Sequence, residues 1–332
     1  MTKKYTPSPN RYNDTPYVRC GASSLRLPRI SLGLWQNFGT YDDFDVAQEM
    51  ITHAFDRGIT HFDLANNYGP EPGSAEVTFG RVMRNQLSAY RDELIISSKA
   101  GHEMWAGPYG GNSSRKSIIA SANQSLQRTG LEYFDIFYTH RWDGETPIEE
   151  SVSALASLVR SGKALYIGVS KYPPAQAEEI YTLLKAEGVP SLVSQYRYNM
   201  FDRDVEQHSL QIAAKHGSGV IAFSALAQGL LSDKYLGGIP SSSRIGRDHQ
   251  TSIGKSAITL DKLSKIAALN EVAQRRGQTL AQMALSWVMR RSEITSIVIG
   301  ASRVSQIDDS LQSVNNLYFS AAELQEIENI LK

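Results

Sequence analysis

Four residues that could do acid–base chemistry occupy one kind of position in this 332-residue chain: Asp63, Tyr68, Lys99 and His140. The stretch GITHFDLANNYG, Gly58 to Gly69, is a short apolar run ending on Asp63, with Tyr68 following. LIISSK ends on Lys99 and FDIFYTH ends on His140. In a βα unit the C-terminal end of the strand opens onto the loops that line a site, so such groups converge on one cleft. Capping and packing account for any one of them, but hardly for four. A free phenol, with a pKa near ~10, is a poor proton donor at neutral pH. An adjacent ammonium favours phenolate, and a drop of ~2 units needs about 2.7 kcal/mol, which one close, desolvated lysine supplies. Asp63 would hold Lys99 charged and in place. His140, with an ordinary pKa near ~6.5, suits orienting a carbonyl oxygen or relaying a proton. A tuned phenol beside a carbonyl oxygen protonates a developing alkoxide. No side chain can deliver the matching hydride, so a nicotinamide is required.

The elements that must place these groups follow a repeat: a helix-period stretch, a glycine, then a short apolar run. Strands are expected at Ile30–Leu34, Ile59–Asp63, Leu94–Lys99, Tyr133–Thr139, Ala164–Ser170, Leu192–Gln195, Val220–Ser224 and Ser296–Ile299. Helices are expected between them, among them Asp45–Arg57, Ser74–Asn85 with Ser74 as N-cap, Lys116–Thr129 and Val205–His216, and two more close the chain at Val304–Val314 and Ala321–Leu331. Eight such units predict an α/β fold, a closed (β/α)₈ TIM barrel, with an N-terminal β-hairpin from Tyr17–Cys20 and Leu25–Pro28 and extra C-terminal helices. Residues 1–16 are read as a surface arm and 17–332 as a single barrel domain. An open doubly wound sheet is the rival. Its G-x-G-x-x-G/A signature occurs only at Gly217 to Ala222, ahead of a strand instead of after one. There is no Walker loop and no HExxH, and His208 and His216 read as surface histidines, so no metal is expected.

Lys plus Arg and Asp plus Glu number 34 each, so no net field recruits nucleic acid or an anionic membrane, and a small molecule is the expected partner. Cys20 is the only cysteine, which excludes an intrachain disulfide. The N-terminus lacks an apolar signal region and no run reaches the ~18 apolar residues of a span, so a cytoplasmic protein is expected.

With GITHFDLANNYG, ISSKAG, DIFYTHR and IGASRVSQIDDS in view, the chain from about Tyr17 to its end resembles the aldo-keto reductases, NADPH-dependent (β/α)₈ barrels. FDLANNYGPEPGSAE, AGPYGG, SRKS, ALAQGLLSDKYLGGIP and TLAQMALSW resemble the bacterial L-glyceraldehyde 3-phosphate reductase group of that family, and more distantly the β-subunits of voltage-gated potassium channels. The resemblance implies Tyr68 as the acid, Lys99 and Asp63 as the groups that tune it, and His140 on the carbonyl oxygen. The channel subunits have asparagine in the place of His140, so the histidine favours an enzyme over a nucleotide-sensing regulatory subunit.

For NADPH the resemblance implies Trp35 and Asp63 at the nicotinamide end, Ser170 and Gln195 on its carboxamide, and Phe223, followed by Ser224 and Leu226, as the stacking segment. It implies Gly229, Leu230, Ser232 and Lys234, assisted by Arg244, over the pyrophosphate. Gly300, Ser302, Arg303, Gln306 and Asp309 are implied at the 2′-phosphate and adenine, where a hydroxyl, a guanidinium and a helix N-terminus suit phosphate. Relatives have Glu then Asn where this chain has Asp309 and Ser310, so one amide contact to adenine is lost. The expected substrate contacts are Trp35, Tyr68, Trp105, His140 and Arg141, with Tyr109 and Trp142 also on loops of that face. The expected substrate is L-glyceraldehyde 3-phosphate or a short aldehyde such as methylglyoxal. Arg141, Arg115 and Arg197 are unranked candidates for a substrate phosphate. A homo-oligomer, tetramer or larger, is implied by resemblance alone.

Overall fold

Each apolar run becomes a parallel strand because, buried on both faces, it has only neighbouring strands to satisfy its backbone groups. In this computed structural model residues 5–13, 15–69, 71–236 and 258–332 are described. Two short strands, β1 (Tyr17–Arg19) and β2 (Arg26–Pro28), form an antiparallel hairpin. Eight more follow: β3 (Ile30–Gly33), β4 (His61–Asp63), β5 (Ile95–Ala100), β6 (Phe134–Thr139), β7 (Ala164–Ser170), β8 (Ser191–Arg197), β9 (Gly219–Phe223) and β10 (Ile294–Ile299). They close in the order β10-β3-β4-β5-β6-β7-β8-β9, all pairs parallel. The expected (β/α)₈ barrel with its hairpin is what forms; the barrel strand ends lie within two residues of expectation, and Ala164–Ser170 matches at both ends.

Outside the barrel lie α1 (Phe44–Asp56), α2 (Ser74–Val82), α3 (Arg115–Thr129), α4 (Ile148–Arg160), α5 (Pro174–Ala186), α6 (Ser209–Lys215), α7 (Leu260–Arg275), α8 (Leu280–Met289), α9 (Val304–Gln312) and α10 (Ala321–Leu331). Their starts are written in the sequence. Asp43 accepts from the amides of Asp45 and Val46, Ser114 caps α3, and Thr279 with Gln282 and Ser320 with Glu323 form reciprocal capping boxes. Ser74 is a correction. The cap of α2 is Gly73 at φ 93°, and the Ser74 hydroxyl donates to the carbonyl of Glu71. The helix expected over Ser74–Asn85 breaks into a π turn, Met83–Leu87, and the one expected over Val205–His216 keeps only seven residues as α helix.

Alternation along the strands divides the barrel wall. Phe62, Ile96 and Phe137 face the helices, while their neighbours His61, Asp63, Ser97, Lys99 and Tyr138 face the barrel axis, all fully or nearly fully buried. Gly168 lies against the Tyr138 ring, and a Cβ there would stand 2.2 Å from it. At the floor of the barrel the hairpin buries Cys20 and Leu27 against Ile136, Tyr138, Val193 and Ile221. The N-terminal segment is pinned across α1: the Tyr5 hydroxyl donates to Asp56 at 2.8 Å, and the Ser8 amide to the same oxygen at 2.6 Å. No described helix is long and apolar enough to cross a membrane.

Candidate active site

Period-two spacing puts Asp63 and Lys99 on the barrel axis near the strand ends, and the turn after β4 returns Tyr68 over them. Lys99 Nζ donates to Asp63 Oδ2 at 2.5 Å, to the Leu64 carbonyl at 2.7 Å and to the Tyr68 hydroxyl at 3.4 Å. His140, one residue beyond β6, sets its ring edge-on to Tyr68 with centroids 5.9 Å apart. The four groups named from strand ends therefore meet in one place.

The electrostatics correct one expectation. The Tyr68 hydroxyl is not acidified; it is pushed well above the ordinary phenol range, first by burial and then by the negative charge of Asp63. Burial is also the larger cause of a lowered Lys99, which Asp63 partly restores. The lysine's field at the phenol is offset by the carboxylate paired with it, and loss of water penalises phenolate further. His140 is held well below its usual range by burial, and then by Lys171, Lys99, His102 and Arg141. The centre thus holds a protonated phenol beside a neutral imidazole.

Beneath Asp63 runs a file of hydrogen bonds whose direction can be worked out. Ser97 Oγ donates to Asp63 Oδ1 at 2.8 Å, so its oxygen must accept from His61 Nε2 at 3.1 Å. His61 Nδ1 then accepts from Ser31 Oγ at 2.9 Å, and Ser31 accepts from Ser296 Oγ at 2.7 Å. All five residues are buried, and every dipole points toward the carboxylate. Gln195 Nε2 adds another donor to Asp63 Oδ1 at 3.0 Å. None of Ser31, His61, Ser97 or Ser296 was singled out from sequence, although HFD and IISSK show the alternation that turns them inward.

A dinucleotide fits the remaining residues. Ser170 Oγ is buried without a partner beside Gln195, its register neighbour on β8, and the Gln195 Oε1 is left for an amide N–H once its nitrogen serves Asp63. Phe223 ends β9, and Ser224, Ala227 and Gln228 then take left-handed backbone at φ 55°, 46° and 58°. Such strain persists only where surroundings impose it, and it clusters at ligand-holding turns. Leu226 and Leu230 pack into the core from this turn, a Cβ on Gly229 would meet nothing within 4 Å, and Ser232 Oγ donates to the Gly229 carbonyl at 2.7 Å. Lys234 is exposed on the next short turn. Arg244 lies outside the described residues.

At the other end α9 starts with no side-chain cap, Ser302 and Arg303 are exposed there, and the space beside Gly300 is open. Gln306 accepts from the Ser302 amide at 2.8 Å, ordering the turn. Asp309 accepts from Gln282 at 2.7 Å and Ser310 turns its hydroxyl back to the Gln306 carbonyl, so the serine adds no donor for a base.

Around the mouth, Trp35 and Trp105 are 39% and 44% exposed, large apolar surface left uncovered where a substrate would lie. Tyr109 is likewise exposed and Trp142 half-buried. The Arg141 Nε donates to the Gly101 carbonyl at 3.0 Å. Arg115 does not join the site, because its guanidinium is bonded to Ser153 on α4. Arg197 reaches over the Phe223 ring at 5.9 Å. Sequence reading missed two groups here, His102 and Lys171. Lys171 Nζ stands 2.8 Å from His102 Nε2, and the His102 ring meets His140 edge-on at 4.4 Å.

Set against known proteins, the profile of the Aldo/keto reductase family matches residues 29–332. The chain is 51% identical over 324 residues to L-glyceraldehyde 3-phosphate reductase of Escherichia coli strain K12, covering 97% of this chain and 94% of that protein. It is 34% identical over 323 residues to a probable voltage-gated potassium channel subunit beta of Arabidopsis thaliana, covering 95% and 96%.

Proposed function

This chain belongs to the aldo/keto reductase family and is an oxidoreductase, and on that premise we propose that it reduces short aldehydes with NADPH, L-glyceraldehyde 3-phosphate foremost. The observation that carries the reading is the meeting of Tyr68, Lys99 and His140 at the barrel mouth above a carboxylate that anchors the lysine. The nicotinamide supplies the hydride. Tyr68 supplies the proton, and its raised pKa suits that role, since the phenol keeps its proton at working pH and yields it to an alkoxide, which is the stronger base. Lys99 stabilises the phenolate left behind, since its ammonium is already in place and need not reorganise. His140, kept neutral, donates its single N–H to the carbonyl oxygen without competing as an acid.

Ser170 and Gln195 would hold the carboxamide and Phe223 would stack on the ring. The open start of α9 with Ser302 and Arg303 would take the 2′-phosphate, which favours NADPH over NADH. Methylglyoxal is a second candidate substrate, a cytoplasmic location and a homo-oligomer of four or more chains complete the reading, and light scattering in solution tests the last.

The kinship with a channel subunit favours one alternative, a nucleotide sensor whose output is binding. One variant separates the two. Tyr68→Phe is expected to lose at least ~10²-fold in kcat while NADPH fluorescence titrations stay unchanged. Weak turnover in both forms would leave the sensor standing.

A further inference from the structure

Lys171 follows Ser170 at the end of β7 and takes a left-handed backbone at φ 56°. That conformation is strained for a lysine and turns the side chain back across the barrel mouth, where Nζ reaches His102 Nε2. Because an ammonium can only donate, His102 must present a bare Nε2, and so carries its proton on Nδ1. Lys171 is thereby fixed one imidazole away from His140, at the edge of the reacting centre.

Its surroundings are all of one sign. Although Lys171 is exposed overall, partial loss of water at the ammonium pushes it down to about 8, and Lys99, Arg141 and Arg197 push it the same way. The same environment holds His102 at about 4, so neither histidine brings a compensating charge of either sign. Among the described residues neither Lys171 nor Arg141 pairs with a carboxylate, and Arg197 has only Asp202 at 3.9 Å. Lys171 and Arg197 are exposed and Arg141 is half-buried, so an anion can reach them, and gathering like charges without a counter-ion is unfavourable in a way that an anion arriving with the substrate would relieve. The His140 Nδ1, buried and without a partner, marks the same corner as one with a polar valence unfilled.

We propose that Lys171, held by His102 and seconded by Arg141 and Arg197, is the seat of the phosphate group of a short phosphorylated aldehyde whose carbonyl lies between Tyr68 and His140. This rests on the reductase reading for its substrate, but the phosphate seat can be tested without turnover. It also ranks cations that the sequence left unranked: Lys171 first, Arg141 and Arg197 as flanking charge, and Arg115 excluded by its bonds to Ser153.

The experiment uses the full chain saturated with NADP⁺, inorganic phosphate as probe and calorimetry as readout, for wild type, Lys171→Gln and Lys171→Arg. The expected result is phosphate binding at least ~10-fold weaker in Lys171→Gln, largely restored in Lys171→Arg, with NADP⁺ affinity equal in all three. In steady state the ratio of kcat/KM for L-glyceraldehyde 3-phosphate over glyceraldehyde should fall by a similar factor through KM. Equal phosphate binding in wild type and Lys171→Gln overturns the proposal. So does a parallel loss of NADP⁺ affinity, which would place the charge at the cofactor. Phosphate binding that follows the prediction in a protein reducing no aldehyde would leave the seat standing and sink the reductase reading.

Discussion

Tyr68 bears a burden that its neighbours distribute. A buried phenol with a carboxylate nearby gains its proton more firmly, and a lysine 3.4 Å away, itself paired, does not reverse this. The pH dependence follows with a definite sign. Tyr68 would lose its proton only above its ordinary ~10, and His140 would gain one only below its ordinary ~6.5. The single-turnover rate of NADPH oxidation at saturating aldehyde is therefore expected to stay within about twofold between pH 7 and 9. A break in that window in stopped-flow traces would mean that another group gives up the proton. Lys171, at about 8, ionises inside it, and its effect is expected in KM for a phosphorylated substrate alone.

At the scale of elements, the barrel wall is what aims these groups, and Gly168 on β7 shows how tightly. Its missing side chain is the space the Tyr138 ring fills, and Lys99 Nζ lies 5.5 Å over that ring. Gly168→Ala forces the ring or the strand to move, so we expect a loss of about 1–3 kcal/mol in urea unfolding. Activity should fall further than stability requires, because the shift is handed to Lys99. An unchanged denaturation midpoint would show that the wall yields easily. The same scale explains what could be read in advance. Gly58, Gly130 and Gly188 at the ends of helix-period stretches, each followed by an apolar run, made the barrel legible, and strand ends made Asp63, Lys99 and His140 legible. Lys171 stands one residue beyond β7 as His140 stands beyond β6, so its strand end carried the same signal; what the sequence does not show is that it meets His102 across 69 residues. Nor could the direction of the Tyr68 shift be read, because it depends on three distances at once. Ser74 misled because a hydroxyl before a helix looks alike whether it caps forward or bonds back to Glu71.

For the molecule as a whole, equal numbers of acidic and basic residues leave little net repulsion at neutral pH, so its response to acid is set by particular buried groups. His61 is one. Burial lowers it to about 4, against ~6.5 in the unfolded chain. A group depressed on folding gives up stability as pH falls from the unfolded value toward the folded one, because the unfolded chain takes the proton that the fold refuses. The window is therefore pH 6.5 down to 4, and the loss on the order of 3 kcal/mol. Urea unfolding at pH 7 and pH 4.5 should show it, and His61→Gln should flatten that part of the slope, whatever it does to stability at neutral pH. An equal slope in both proteins would place the acid sensitivity elsewhere.

The oriented file from Ser296 to Asp63 gives this a further meaning. An imidazole that gained a second N–H could no longer accept from Ser31, and the buried serine would have to turn its hydrogen back on Ser296. Acid would then be felt first at the Ser31–Ser296 end of the file, inside the wall beneath the carboxylate that anchors the reacting lysine, well before it touched the phenol at the mouth.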